Sequence, residues 1–196
     1  MPPIEDPINL DIPEFIETER LLIRPPQPGD GKVMNDAVCE SLDHLKRWMS
    51  WARQAPTVEE SEAFSRRHAA AFKTRDEDMG LYIFERETGR LIGATGMHSI
   101  DWSVPRVEIG YWIRVSETGK GYITEAVRAL TDYAFTHIQV ERIEIRCEPA
   151  NTRSAAVAER CGYTLEGRLR NQMRDPEGGL RDTLVFGMIR SDWETL

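Results

Sequence analysis

Hydrophobic and polar positions recur with different periods along the chain, which predicts a mixture of strands and helices. Runs rich in β-branched and aromatic residues predict strands at residues 20–24, 81–86, 91–100, 107–115 and 142–148, followed by segments 164–174 and 181–189 around a turn at 175–179. Helical patterns are predicted across roughly residues 32–51, after Thr57, from Thr124, and after Asn151. Glu60 follows Thr57 at the spacing of a capping box. The order of elements predicts an α+β fold.

The segment VEIGYWIRVSETGKGYITEA, residues 107–126, is the most informative part of the chain. A predicted strand passes through a loop containing Gly119 and Gly121 into a predicted helix. Main-chain N–H groups at a helix start, together with the helix dipole, suit a phosphate or pyrophosphate. The spacing excludes a Walker loop, and a dinucleotide fingerprint would need glycine where the chain has Thr124. A simple two-glycine turn is the alternative interpretation.

Composition indicates one small domain, because 196 residues with 40% hydrophobic content are enough for a single core. The net charge of −8 argues against a nucleic-acid partner and favours cationic or basic ones. Cys39, Cys147 and Cys161 lack metal-binding spacing and are interpreted as reduced thiols, so a cytoplasmic location is expected. The four histidines also lack ligand spacing, and no metal is predicted.

Residues 1–17 contain no basic segment followed by an apolar run, so neither a signal peptide nor a membrane anchor is expected. Four prolines in this segment favour an extended arm over a helix. Its apolar residues are expected to pack on a neighbouring surface, for example in a dimer. The expected organisation is therefore an arm at residues 1–17 and one domain at residues 18–196.

Several motifs occur in an order that is specific when they are taken together. They are EIGYWI at 108–113, TGKGY at 118–122, NTRS at 151–154 and CGYTLEG at 161–167. In this order the sequence resembles the GNAT superfamily of N-acetyltransferases. With TERLLIRPPQPGD at 18–30, it looks most like the bacterial ribosomal-protein N-terminal acetyltransferases. The resemblance implies a GNAT fold, with one mixed, mostly antiparallel sheet of about six to seven strands that is splayed open at its centre and flanked by helices.

The resemblance also implies that acetyl-CoA is the co-substrate. Its pantetheine arm would lie along residues 112–115 like an added strand, held by main-chain groups. Its pyrophosphate would take N–H groups from residues 118–122, with additional charge from the Lys120 side chain. The expected cofactor-binding residues are Trp112, Ile113, Arg114, Val115, Thr118, Gly119, Lys120, Gly121, Tyr122, Asn151, Arg153 and Ser154.

Acetyl transfer requires a neutral amine, and a nearby carboxylate is suited to take its proton. Alternation places Glu108, Gly110 and Trp112 on one strand face, and Glu108 matches a strand glutamate that acts as base in some superfamily members. Glu144 is the second candidate, because it resembles a base position in another protein-acetylating branch. Either carboxylate has the alternative role of a strand residue paired with an arginine. A further glutamate implicated in some relatives is replaced here by Met173.

The departing sulfur needs stabilisation as well. Many superfamily members carry a tyrosine acid on the second helix, where this chain has Ala158. In the ribosomal-protein branch the serine of the NTRS tetrad lies at the CoA sulfur, so Ser154 is expected to hydrogen-bond the departing thiolate. A thiol with a pKa near ~8.5 leaves readily, so a hydroxyl group is sufficient. Asn151 is expected to cap its helix and also to contact CoA.

Acceptor recognition is expected where two helices are linked and between two strands. Trp48 and Trp51 would lie close together on a helix, where they would form a pocket wall or belong to the core. A carboxylate near this pocket would hold the incoming ammonium, although helix glutamates more often form a solvated face. The candidates for that role are Asp101, Glu59, Glu60 and Glu62.

The predicted activity is acetyl transfer from acetyl-CoA to a primary amine by direct attack, without an acyl-enzyme. The expected acceptor is the N-terminal α-amine of a peptide or protein, such as a ribosomal protein. An α-amine with a pKa near ~8 is partly neutral at cellular pH, unlike a lysine near ~10.4. A small amine such as an antibiotic or polyamine is the alternative acceptor, and a non-catalytic acyl-CoA sensor is the alternative of another class. Neither a nucleic-acid nor a membrane partner is expected, and a homodimer follows from the resemblance alone.

Overall fold

A single eight-stranded sheet lies at the centre of the computed structural model, which describes residues 4–75, 78–175 and 178–196. Its strands are β1 (Ile16–Glu17), β2 (Leu21–Arg24), β3 (Met79–Glu85), β4 (Leu91–Asp101), β5 (Arg106–Ile113), β6 (Arg142–Cys147), β7 (Thr164–Arg174) and β8 (Leu180–Ile189). Their spatial order is β1-β2-β3-β4-β5-β6-β8-β7. The mixed, mostly antiparallel sheet is confirmed. The expected six to seven strands are too few, because the N-terminal segment adds the two-residue β1 at one edge.

Five α-helices flank the sheet within the described residues. They are α1 (Gly31–Leu45), α2 (Val58–Thr74), α3 (Tyr122–Tyr133), α4 (Thr152–Arg160) and α5 (Arg190–Trp193), with a π-helical turn at Ala134–Ile138 and 3₁₀ turns at Pro7–Asn9 and Val115–Glu117. The helix predicted across residues 32–51 ends at Leu45. The chain then forms a turn, in which the Trp48 N–H donates to the Leu45 carbonyl. The Thr57–Glu60 capping box at the start of α2 is confirmed.

The two faces of the sheet pack against different helices. Alternation along β5 sends Val107 and Ile109 into the larger core, which contains the apolar face of α3. On the opposite face Trp112 packs against a second cluster, in which residues of α1 meet Tyr82 and Phe84. Strand alternation thus gives β5 a buried apolar side and a side that carries Glu108.

Parallel pairing of β5 and β6 covers only residues 106–108 with residues 142–144. Beyond that point β5 pairs with β4 alone, and β6 pairs with β8 alone. The sheet therefore opens between the two strands, immediately after Glu108.

The N-terminal segment packs on its own domain. Ile12 is buried in the larger core, and the Pro13 carbonyl accepts a hydrogen bond from the Tyr133 hydroxyl at 2.7 Å. Ile8 and Phe15 remain exposed. None of the helices formed by the described residues is long and apolar enough to cross a membrane.

The cap of α2 makes a testable contribution to stability. Thr57→Ala removes the bond from the Glu60 N–H to the Thr57 hydroxyl, 3.1 Å, and leaves a helix-end donor without its partner. We expect the free energy of unfolding to fall by about 1 kcal/mol in urea titrations. Thr74→Ala is the matched control, since the Thr74 hydroxyl bonds only carbonyls of its own helix. Equal losses in both variants would contradict the capping account.

Candidate active site

The gap between β5 and β6 exposes main-chain hydrogen-bonding groups of β5. The Arg114 N–H donates to the Ile92 carbonyl of β4 at 2.8 Å. Because successive residues of a strand point their main-chain groups to opposite sides, those of Tyr111 and Ile113 face the open side, as does the Ile109 carbonyl, whereas the parallel pairing of Glu108 with Glu144 directs the Ile109 N–H to the Glu144 carbonyl. This edge suits an extended molecule that carries amide groups, such as a pantetheine arm.

The expected CoA contacts of Arg114 and Val115 need correction. The Arg114 N–H already donates to the Ile92 carbonyl, and the Val115 N–H donates to the Ser41 hydroxyl at 3.0 Å. Their carbonyls accept bonds within the following 3₁₀ turn. The main-chain edge available to a cofactor therefore ends at Ile113, because the main-chain groups of Arg114 and Val115 already form hydrogen bonds within the protein.

The loop that follows forms the cradle expected at its two glycines. Gly119 and Gly121 have φ angles of 79° and 83°, in the left-handed region that favours glycine. Among the described residues, no acceptor is bonded by the N–H groups of Gly119, Lys120 or Gly121. These donors lie at the N-terminus of α3, where the helix dipole also favours an anion.

Arg20 of the β1–β2 connection holds this loop in place. Its guanidinium donates to the Lys120 carbonyl at 3.1 Å and pairs with Glu125 of α3 at 2.6 Å. The Thr18 hydroxyl donates to the same carboxylate at 2.6 Å, and the Tyr122 ring lies 4.5 Å from the Arg20 guanidinium carbon. The loop is therefore tied to a distant part of the chain before any ligand binds.

The Lys120 side chain is engaged within the protein. Its Nζ lies 2.7 Å from Glu117 Oε2, and this bond raises the pKa of Lys120. Arg90 bonds the other Glu117 oxygen at 2.7 Å, and both Arg90 and Arg114 reach Glu40 of α1. The expected side-chain charge from Lys120 is thus already paired, whereas its main-chain N–H is available.

Glu108 lies at the point where the sheet opens. Its side chain is 31% exposed, and Oε2 is 3.6 Å from Arg146 Nε of β6. Burial raises the pKa of Glu108, against the lowering effects of Arg146 and His98. A carboxylate with a raised pKa is suited to accept a proton from an amine near neutral pH.

Glu144 occupies a different environment on β6. Its side chain is 12% exposed and accepts bonds from Arg142 at 2.9 Å and from Arg146 at 2.8 Å. Although burial acts in the opposite direction, the hydrogen bonds from these arginines lower the pKa of Glu144. Glu144 therefore has the alternative role considered from the sequence, that of a strand carboxylate paired with arginines. This pairing does not favour Glu144 as the base.

Ser154 faces the gap from the first turn of α4. Asn151 caps the helix as expected, because its Oδ1 accepts the Ser154 N–H at 3.2 Å. The Tyr111 hydroxyl lies 3.1 Å from the Ser154 hydroxyl and also donates to the Ser154 carbonyl. Arg153 is exposed on the rim of the same groove. Ser154 and Glu108 therefore border the gap from opposite faces of the sheet.

The acceptor side is lined by aromatic residues in an arrangement different from the one expected. The Trp51 ring lies 6.2 Å from the Trp112 ring of β5 and is 53% exposed. Trp48 instead packs with Arg47, whose guanidinium carbon is 4.9 Å from its ring. The helical spacing on which the Trp48–Trp51 prediction depended is absent, because α1 ends before both residues. Both rings nevertheless line one groove with Glu108.

The expected ammonium-binding role of Asp101 is not supported by its position. Its Oδ1 accepts bonds from the Ser103 N–H and hydroxyl and from the Val104 N–H, which lowers the pKa of Asp101. Asp101 thus stabilises the turn between β4 and β5 and lies outside the groove. The three helix glutamates have local surroundings of their own: Glu60 caps α2, Glu62 accepts the Gly29 and Gly31 N–H groups, and Glu59 is exposed.

Three site residues were not identified from the sequence: Arg20, His98 and Tyr111. Tyr111 lies within the EIGYWI motif, and alternation alone places it opposite Glu108 and towards α4. His98 and Arg20 carry no local signal, since their partners lie on other strands or about a hundred residues away. Within the described residues, no cluster of His, Cys, Asp or Glu side chains has an arrangement suited to a metal ion.

Comparison with known proteins gives one family. Residues 20–164 match the family described as "Acetyltransferase (GNAT) domain". "Putative ribosomal N-acetyltransferase YdaF" of Bacillus subtilis (strain 168) is 30% identical over 90% of this chain and 94% of its own length. "Ribosomal-protein-serine acetyltransferase" of Escherichia coli (strain K12) is 27% identical over 71% and 76%, respectively. The structure of RimL, a ribosomal L7/L12 α-N-protein acetyltransferase in complex with coenzyme A, has the same fold, with a TM-score of 0.83, 22% identity and coverage of 90% and 98%.

The Arg20 contacts predict a measurable effect on cofactor binding. Arg20→Gln removes the bond to the Lys120 carbonyl and the pair with Glu125, so the loop loses its fixed conformation. Since a charged hydrogen bond contributes ~1.5–3 kcal/mol, we expect the Kd of coenzyme A to rise about tenfold or more in calorimetric titration. Arg168→Gln is the control, because Arg168 pairs with Asp182 on the β7–β8 hairpin, away from this loop, and it should leave the Kd unchanged. An unaltered Kd for Arg20→Gln would refute the positioning role.

Proposed function

The chain belongs to the GNAT family of acetyltransferases, and on this basis we propose that it acetylates the N-terminal α-amine of a protein such as a ribosomal protein. As a member of this family it is an acetyl-CoA-dependent N-acetyltransferase. Two relatives whose names refer to ribosomal acetylation support the proposed acceptor. The proposal concerns which amine is used and which residues act on it.

The opening of the sheet between β5 and β6 carries the proposal. The unpaired main-chain groups of β5 and the N–H groups of residues 119–121 suit a pantetheine arm and a pyrophosphate, respectively. Acetyl-CoA bound in this way would place its thioester between Glu108 on one face and Ser154 on the other. The acceptor then approaches from the groove that contains Trp51 and Trp112.

Each residue has a defined part in a direct transfer. Glu108 accepts a proton from the acceptor ammonium, and the neutral nitrogen forms a bond to the thioester carbonyl carbon. The carbon–sulfur bond breaks, and the electron pair stays on the sulfur. The nitrogen, now bonded to the acyl carbon, loses its second proton. The thiolate, which accepts a hydrogen bond from the Ser154 hydroxyl, takes up that proton and leaves as free CoA. The products are an amide and a thiol.

Glu108 is the proposed base because its environment differs from that of Glu144. Glu108 is partly exposed towards the acceptor groove and has one arginine at 3.6 Å, whereas Glu144 is held by two arginines. A carboxylate stabilised by two guanidinium groups binds a proton weakly. Glu108 is therefore better placed to exchange protons with an amine.

A thiol-release assay tests the proposed function. We expect acetyl-CoA and peptides with a free N-terminus to yield free CoA and an N-terminally acetylated peptide, detected by a thiol reagent and mass spectrometry. The same peptides with blocked N-termini but free lysines are the control and should not react. Preferential turnover of polyamines or aminoglycosides would favour a small-molecule acceptor. Binding of CoA without thiol release from any amine would indicate a sensor.

Glu108→Gln predicts a pH-dependent loss of rate. The raised pKa of Glu108 means that the carboxylate is lost as pH falls, so the wild-type rate should decline on the acid side. At pH 7 most of an α-amine with a pKa near ~8 is protonated, and removal of the base should lower kcat/KM by about 100-fold. Near pH 9 the amine is neutral and the two rates should converge. Glu144→Gln is the comparison. A larger loss of rate in that variant would show that the base is Glu144 and not Glu108.

A further inference from the structure

Two rows of residues cross the sheet beneath the acceptor groove. Gly80, Gly96 and Gly110 are direct register partners on β3, β4 and β5. On the next row, His98 pairs with Glu108, which in turn pairs with Glu144 of β6. A strip without side chains thus lies beside a strip of titratable groups.

The His98 imidazole lies over the glycine row. A Cβ atom added at Gly110 would be 3.0 Å from His98 Cδ2, and one at Gly96 would be 3.3 Å from His98 Nε2. Larger residues at these positions would therefore push the ring aside. The two glycines thus leave room for the imidazole on the face of the sheet that carries Glu108.

Asp78 holds the other ring nitrogen. His98 Nδ1 lies 3.1 Å from Asp78 Oδ1, whose side chain is 60% exposed. When Nδ1 carries its proton towards this carboxylate, Nε2 remains free to accept a second proton. The imidazole side chain is itself 39% exposed, so a proton on it can pass to solvent.

Two titratable side chains flank Glu108 on the adjacent strands. On the β6 side, Glu144 is bonded by Arg142 and Arg146. On the β4 side, the directly paired His98 has its Cβ within about 5 Å of the Glu108 Cβ, by strand geometry. Electrostatic interactions join His98 to Glu108 and to His68; Glu108 also interacts with Arg146, Glu144 and Asp78, and His68 with Asp78 and Arg67.

We propose that His98 carries the proton from Glu108 to solvent, with Asp78 holding the imidazole in the tautomer that this transfer requires. The inference rests on the proposed acetyl transfer. In each cycle the proton taken from the acceptor ammonium moves from the Glu108 carboxyl to His98 Nε2, and the imidazolium then loses it to water. Glu108 returns to its ionised form, and no other reactant is needed. His98 is thus a positioning residue that acts through Glu108.

Chemical rescue tests this role in the full-length protein, with acetyl-CoA and a peptide that has a free N-terminal serine. His98→Ala leaves a space above the glycine row, and we expect kcat at pH 7 to fall about tenfold to 100-fold. Added imidazole should restore activity in a saturable manner, and substituted imidazoles of different pKa should give different rates. His137→Ala, in which an imidazole is removed from the π-helical turn after α3, should keep its rate and not respond to imidazole.

The outcomes separate the relay from the proposed function. An active wild type with an unchanged His98→Ala variant would overturn the relay alone. So would a loss of rate that imidazole does not restore, since a purely structural role predicts that result. A wild type that releases no thiol with any peptide would overturn the proposed function and the relay together. Rescue that depends on imidazole pKa supports the relay.

Discussion

The early end of β5–β6 pairing is the constraint on which the rest of the structure depends. Parallel pairing stops at Glu108 and Glu144, although both strands continue. β6 is retained by β8, and β5 is retained by β4, so each strand keeps one complete ladder while the edge between them stays open. Unpaired main-chain groups are costly when buried, and a ligand that bonds them recovers that cost. The opening therefore leaves main-chain groups unpaired in the free protein and offers them to a ligand.

The chemistry is divided between the two faces of β5. Alternation sends Glu108 towards the acceptor groove and Tyr111 towards α4, where its hydroxyl meets Ser154. Proton removal and thiolate stabilisation thus occur on opposite sides of one strand. The anion-binding loop is fixed separately, by Arg20 and by the pairing of Glu117 with Lys120 and Arg90.

Features with local causes were predictable from the sequence. The capping box at Thr57, the cap at Asn151 and the two glycine turns depend on neighbouring residues, and all are confirmed. Contacts that depend on strand register were not. The pairing of His98 with Glu108 follows from a hairpin whose register shifts between His98 and Asp101, and no short-range pattern specifies that irregularity. The position of Arg20 depends likewise on how the first strands meet α3.

Residue-resolved hydrogen exchange during titration with coenzyme A tests the central claim most directly. The amides of Tyr111 and Ile113 face the open edge, whereas that of Arg114 is already bonded to β4. The account predicts that exchange at these two amides and at residues 119–121 slows on binding, while exchange at Arg114 changes little. Binding of coenzyme A that leaves exchange at the two β5 amides unaltered would contradict the claim that this edge holds the cofactor.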